Sequence, residues 1–235
     1  MANADSGMRI NKWLSDSGCC SRRAADRLIS EGKVTIDGRP ADLGARVWDE
    51  SVVAINGRPV SSMRNKVYIA LNKPAGVVCT ADKSEPNNII DFVDYPERIY
   101  PVGRLDKESR GLILLTNDGD MAYKITHVAA GVEKEYIVTV NKPLTLDFLR
   151  AVSAGVEIMD GLTTMPCAAI MLNAHTFALI LVQGLNRQVR RMCEGQGYRV
   201  KDLVRVRIAD IKLGTLEPGK WRHLNYGEVR GLRAI

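Results

Sequence analysis

Histidine is scarce in this chain, with three residues in 235, and cysteine is sparse, with five. His127, His175 and His223 stand apart, and none neighbours a nucleophile and an acid in a recognisable triad pattern. Cys19, Cys20, Cys79, Cys167 and Cys193 are odd in number and contain no Cys-x-x-Cys pair. That pattern argues against a disulfide framework and against a zinc site, so no metal is expected. No Gly-x-x-x-x-Gly-Lys cradle for phosphates occurs, which argues against nucleotide hydrolysis. No apolar run approaches the roughly 20 residues that span a bilayer. The start, Met1 to Gly7, is polar and lacks the apolar centre of a secretion signal. The expectation is a cytoplasmic protein without a membrane partner.

What is present is the balance of a globular protein: 46% hydrophobic and 26% charged residues. The length suits one medium domain plus a small one. The net charge of +6 is modest but unevenly placed. Between Arg187 and Arg207 stand Arg187, Arg190, Arg191, Arg199, Lys201, Arg205 and Arg207, against only Glu194 and Asp202. A concentrated positive surface suits a polyanion such as RNA.

Residues 8–62 read as a compact module. Ile10, Trp13 and Leu14 recur at helical spacing, with Gly18 as a stop. Ser21 is an N-cap for a second helix whose apolar face is Ala24, Ala25, Leu28 and Ile29, closed by Gly32. Val34-Thr35-Ile36 then runs into the hairpin turn Asp37-Gly38, and Val52 to Ile55 runs into Asn56-Gly57. Arg23 and Arg27, four apart, share one helix face. The polar stretch Ser61 to Lys66 reads as a linker that lets the module swing.

Residues 67–235 read as an α+β domain with a mostly antiparallel sheet flanked by helices. Strands are expected at Val67–Leu71, Gly76–Thr80, Leu112–Leu115, Tyr136–Val140, Met165–Met171, Phe177–Val182, Leu203–Ile208 and Ile211–Leu213. Helices are expected at Gly119–Thr126, Thr145–Ser153 and Arg187–Glu194.

The most informative segment is Gly103-Arg104-Leu105-Asp106-Lys107-Glu108-Ser109-Arg110-Gly111, followed by Leu112-Ile113-Leu114-Leu115-Thr116-Asn117. A carboxylate between arginines sits in a glycine-bounded loop that enters a buried strand. Such a strand fixes the loop's position, which is what a reactive group needs. A surface turn with an ordinary ion pair has the same spacing, so the residues alone leave the choice open.

The segment resembles the signature of the RNA pseudouridine synthases of the RsuA/RluB/RluE/RluF type. Two further segments resemble that family: Glu133-Lys134-Glu135-Tyr136 and Leu185-Asn186-Arg187-Gln188-Val189-Arg190-Arg191-Met192. The resemblance implies that Asp106 is the catalytic carboxylate, that Tyr136 stacks on the target base, and that Arg190 pairs with Asp106. It implies RNA contact for Asn186, Arg187 and Arg191, and either role for Arg104. The first module resembles the S4-type RNA-binding domain, in which Lys12, Arg22, Arg23 and Arg27 would hold phosphates. The branch most resembled, RluF, implies 23S rRNA as partner and a tRNA anticodon uridine as a second one, with a sister-branch rRNA uridine as the alternative. The protein is taken to act as a monomer and without a cofactor.

The chemistry fits those residue types. Turning uridine into its C5-linked isomer breaks the bond from ribose C1′ to N1 and joins C1′ to C5. No atom is gained or lost, so no ATP or redox cofactor is required. A carboxylate beside the sugar serves as nucleophile or as base. Burial penalises a charged group, so the carboxylate needs a fixed cation beside it. A uridine in structured RNA must be swung out to reach it, at a cost of a few kcal/mol. Two rival readings remain at this level. One is a non-catalytic ribosome-assembly factor, which would not need the Arg-Leu-Asp loop. The other is a base-releasing glycosidase pairing Asp106 with Glu108, Asp118 or Asp120.

Overall fold

The computed structural model describes residues 7–61, 65–159 and 161–235. The chain divides into two compact units, one formed by the residues before Val67 with Pro96–Arg98 and one by Val67–Tyr95 and Ile99–Ile235. Residues 62–64 of the expected linker, and Met1 to Ser6 of the polar start, lie outside the described residues.

In the first unit, helices α1 (Ile10–Asp16) and α2 (Arg22–Ser30) pack through Ile10, Leu14, Ala25 and Ile29. The Ser21 hydroxyl accepts a hydrogen bond from the Ala24 amide at 3.2 Å, satisfying one of the free N–H groups at the start of α2. A four-stranded antiparallel sheet follows, in the order Arg39–Pro40, Val34–Ile36, Val53–Ile55, Arg58–Pro59. Its two hairpins turn at Asp37-Gly38 and Asn56-Gly57, where both residues of each pair have positive φ. That is the tight turn that Asx-Gly sequences favour.

The second unit is built on a nine-stranded sheet. In chain order its strands and helices are β1 (Tyr68–Lys73), α3 (Ile89–Val93), β2 (Tyr100–Val102), β3 (Arg110–Thr116), α4 (Gly119–Thr126), β4 (Lys134–Val140), α5 (Leu146–Ala154), β5 (Ala168–Asn173), β6 (Thr176–Leu181), α6 (Gln188–Gly195), β7 (Val200–Ile208), β8 (Ile211–Lys212), β9 (Trp221–His223) and α7 (Tyr226–Arg233). The spatial order is β5-β6-β4-β7-β3-β1-β9, with β8 paired to β7 and β2 to β3. Every pairing is antiparallel except β3 with β7.

At the centre of the sheet β3 is buried on both faces, which explains its unbroken apolar run. Leu112 and Leu114 join a core with Met121 and Ile125 of α4 and Leu232 of α7. Ile113 and Leu115 point the other way, into a core with Phe148 and Val152 of α5 and Val189 and Met192 of α6. The period of two along one strand thus feeds two separate cores.

Two expectations need correction. Gly76–Thr80 is not a ladder strand; only Val78 makes an isolated bridge, to Asn88. The helix expected from Arg187 begins at Gln188, because Arg187 takes a left-handed backbone, φ 50° and ψ 33°, at the N-cap. The β2, α3, β9 and α7 elements were not anticipated.

The lone parallel pairing depends on a glycine. Gly111 lies opposite Arg205 with φ 103°, and a Cβ there would stand 2.3 Å from the Arg205 carbonyl oxygen. Both the backbone conformation and the missing side chain are therefore required. Gly111→Ala is expected to cost about 2–3 kcal/mol, by overpacking and by strain. The change in urea midpoint at constant slope measures it.

Candidate active site

The loop between β2 and β3 carries Asp106. Its placement begins underneath, with Lys73 at the end of β1. That lysine is fully buried, and its ammonium donates to the carbonyl oxygens of Pro74 (2.9 Å), Lys107 (3.3 Å) and Ser109 (2.7 Å). Burial holds its pKa below the ordinary lysine range, opposed in part by the charge of Asp106. One buried cation therefore ties both the Lys107 and Ser109 carbonyls to the sheet. The Ser109 amide closes the turn onto the Asp106 carbonyl at 3.0 Å. Read from sequence, Lys73 was only the residue before a strand-ending proline. A lysine closing an apolar strand was the available signal.

Asp106 lines a cleft that opens to solvent. Its walls include Arg104, Ser109, Tyr136, Gln183, Arg187, Gln188 and Arg190, with Leu105, Leu181, Leu185 and Leu203 as apolar lining. Arg190, on the first turn of α6, places Nε 3.8 Å from Asp106 Oδ2. Its other nitrogens approach Ser109 Oγ (3.3 Å) and the Val200 carbonyl (3.5 Å). The Arg190 side chain is 11% exposed, so it is a fixed charge, while that of Asp106 is 29% exposed. Arg187 reaches Asp106 Oδ2 to the same 3.8 Å, from Nη1. Sequence reasoning had assigned Arg187 to RNA contact; its position also makes it part of the carboxylate's electrostatic surroundings.

Tyr136 comes from β4, in the middle of the sheet, and is buried to 8% exposure while lining the cleft. Behind it lies Arg205, whose guanidinium carbon is 6.0 Å from the ring centroid. Arg205 is 3% exposed and donates from Nε to the Leu112 carbonyl at 2.7 Å. This corrects the picture of one continuous basic surface between Arg187 and Arg207. Arg205 is interior, and Arg207 is paired with Glu133 (2.9 Å) and Glu135 (2.8 Å). Arg199 and Lys201 are exposed.

Arg104 lines the cleft and is exposed. Asn186 and Arg191 lie outside the lining and bond to each other, Nη2 to Oδ1 at 2.9 Å. In the first unit Arg22, Arg23 and Arg27 are exposed on α2, and Lys12 pairs with Asp16 at 2.9 Å. Asp118 caps α4 and accepts from the Tyr68 hydroxyl at 2.7 Å. Neither it nor Asp120 lines the cleft, so neither forms a carboxylate pair with Asp106 there. Among the described residues no three His, Cys, Asp or Glu side chains are grouped to hold a metal ion, and no helix is long and apolar enough to cross a membrane.

A second, half-buried cation flanks Tyr136. Lys134 donates to the Val132 carbonyl at 2.8 Å and the Val182 carbonyl at 3.3 Å. Burial, with a smaller contribution from Arg205, pushes its pKa down to about 8. The unfolded chain, with an ordinary lysine near 10.4, then binds more protons than the folded one between those values. Folding stability from this group rises as pH goes from about 8 towards 10. The stability of wild type relative to Lys134→Met in urea should therefore grow across that range, a difference that isolates this group from the buried thiols, whose raised pKa values act in the opposite direction.

Comparison with known proteins finds relatives of both units. The family model for RNA pseudouridylate synthase matches residues 67–195, and the S4 domain model matches residues 8–53. The dual-specificity RNA pseudouridine synthase RluF of Escherichia coli (strain K12) is 48% identical over 227 residues, covering 96% of this chain and 78% of that protein. The ribosomal large subunit pseudouridine synthase B of Bacillus subtilis (strain 168) is 36% identical, covering 97% of this chain and 96% of its own. A crystal structure of a pseudouridylate synthase superposes with a TM-score of 0.71 at 28% identity, covering 96% of this chain and 100% of that one. The chain belongs to the RNA pseudouridylate synthase family and is an RNA pseudouridine synthase that isomerises uridine in RNA.

Proposed function

We propose that the target is a single uridine of 23S rRNA and that a tRNA anticodon uridine serves as a second substrate. The observation that carries the reading is the 48% identity to a dual-specificity RNA pseudouridine synthase over 96% of the chain. The large-subunit assignment of the Bacillus subtilis relative supports the rRNA part.

In this reading residues 8–62 are the RNA-binding domain and residues 67–235 the catalytic domain. Asp106 is the catalytic carboxylate, with the Arg190 guanidinium 3.8 Å from it as a fixed positive neighbour. The target nucleotide swings out, and its base lies against Tyr136, where stacking contributes about 1–3 kcal/mol. Asp106 either bonds to C1′ as the C1′–N1 bond breaks, or removes the C2′ proton as that bond breaks and leaves a glycal. The base turns and C1′ joins C5, with the Asp106–C1′ bond breaking on the first route and the C2′ proton returning from Asp106 on the second. The C5 proton leaves to solvent and N1 gains one, so the product is an isomer. An aromatic wall suits this sequence because it holds the base face without fixing which edge points at the sugar. Arg104 and Arg187 at the cleft, Asn186 and Arg191 beside it, and Lys12, Arg22, Arg23 and Arg27 on the first unit hold the backbone. These contacts offset the cost of extruding the base.

The test uses RNAs tritiated at uridine C5, since only C5–C1′ bond formation expels that hydrogen. Purified enzyme should release one equivalent from a 23S rRNA fragment and one from a tRNA with an anticodon uridine. Release from a 16S fragment alone, or from none of the three, would overturn the substrate assignment.

A further inference from the structure

Glu108 is the one charged group at this cleft for which the chemistry has no use. Its carboxylate lies 3.1 Å from Arg187 Nη1 and 3.8 Å from Arg190 Nε. Those same two nitrogens face Asp106 Oδ2, each at 3.8 Å. Two guanidinium groups are thus shared between two carboxylates, and the shorter contact of Arg187 is to Glu108. The two acids differ in setting. Asp106 lines the cleft; Glu108 lies outside its lining, with a side chain 64% exposed. The arginines differ too: Arg190 is nearly buried, whereas Arg187 is 40% exposed.

Converging guanidinium donors match the oxygens of a phosphate as well as those of a carboxylate. An exposed glutamate holding such donors therefore occupies the place of an oxyanion. We propose that Arg187 and Arg190 form a binding fork for an RNA backbone phosphate next to the target uridine, and that Glu108 fills this fork in the free enzyme and swings out when RNA arrives. The proposal rests on the reading of the cleft given above.

Physical consequences follow from the exchange. An exposed ion pair is weak, so RNA displaces Glu108 at little cost. A fork already neutralised by Glu108 attracts less stray polyanion, so Glu108 lowers affinity for every RNA. When it leaves, phosphate takes its place on the fork, and Asp106 is the only carboxylate left beside the buried arginine.

Binding of the 23S rRNA fragment is measured over a range of salt for wild type, Glu108→Gln, Arg187→Gln and the double variant, with Glu194→Gln as an exposed control on α6. Glu108→Gln should tighten binding about two- to fivefold at low salt, the worth of one exposed pair. It should also steepen the dependence of log K on log salt by up to about one, because Arg187 then meets phosphate carrying only its counterion. In the Arg187→Gln background, Glu108→Gln should give less than half of either change, because only the 3.8 Å contact to Arg190 remains. Glu194→Gln should leave the slope as in wild type. Weaker or unchanged binding by Glu108→Gln would overturn the proposal, as would equal tightening without Arg187 or an equal slope change from Glu194→Gln. Tritium release by wild type from the same RNA is followed in parallel. Its absence would fault the reading of the cleft, whereas its presence with an unaltered Glu108→Gln would fault the fork alone.

Discussion

Asp106→Asn is expected to bring pseudouridine formation below about one thousandth of the wild-type rate, within the range for losing a positioned base or nucleophile. Asparagine keeps the size of the side chain and one acceptor oxygen, so the cleft keeps its shape. It lacks the negative charge with which a carboxylate attacks carbon or takes a proton. RNA affinity should be held or slightly raised, because the variant removes a negative charge from beside Arg187 and Arg190. Single-turnover assays with enzyme in excess separate the two effects. A collapse of rate with intact binding places Asp106 in the chemistry, and normal turnover would remove it.

Arg190→Gln is expected to be the next most damaging change. At 3.8 Å, opposite unit charges attract by about 4 kcal/mol at an effective dielectric constant of 20. Asp106 is 29% exposed, so water screens a good part of that. About 1.5–3 kcal/mol then remains, which corresponds to a 10- to 100-fold loss of rate. Arg190→Lys keeps a charge but loses the planar fork that also meets Ser109 and the Val200 carbonyl, so it should recover only part of the loss. Equal rates for Arg190→Gln and wild type in single turnover would show that Arg187 alone supplies the cation.

How much of this was legible in the sequence differs by physical cause. The first unit was readable almost throughout, because Ser21, Gly32, Asp37-Gly38 and Asn56-Gly57 act within a few residues of themselves. The same holds for β3, whose apolar run marks burial on both faces, and for α4 and α5, which start at the caps Asp118 and Thr145. The helix α7 also carried a local signal, the reciprocal capping box between Asn225 and Glu228, and was passed over. Gly76–Thr80 misled because its apolar composition suits a strand although no neighbouring strand pairs with it.

The candidate site was legible as a list and not as an arrangement. Asp106, Tyr136 and Arg190 come from three segments, and their meeting depends on the order of β4, β7 and β3 in the sheet. The supporting residues were hidden for the same reason. Lys73 and Arg205 are charged residues that any composition argument places outside, yet both are interior because backbone carbonyls receive them. Arg187 eluded the helix pattern because its left-handed backbone is set by the turn it closes, which periodicity does not register.

The most direct check on the central claim is a pseudouridine map of ribosomal and transfer RNA from cells whose only copy is wild type, Asp106→Asn, or none. One 23S rRNA uridine should be modified with wild type and unmodified in the other two. An identical map in all three strains, or full modification with Asp106→Asn, would contradict it.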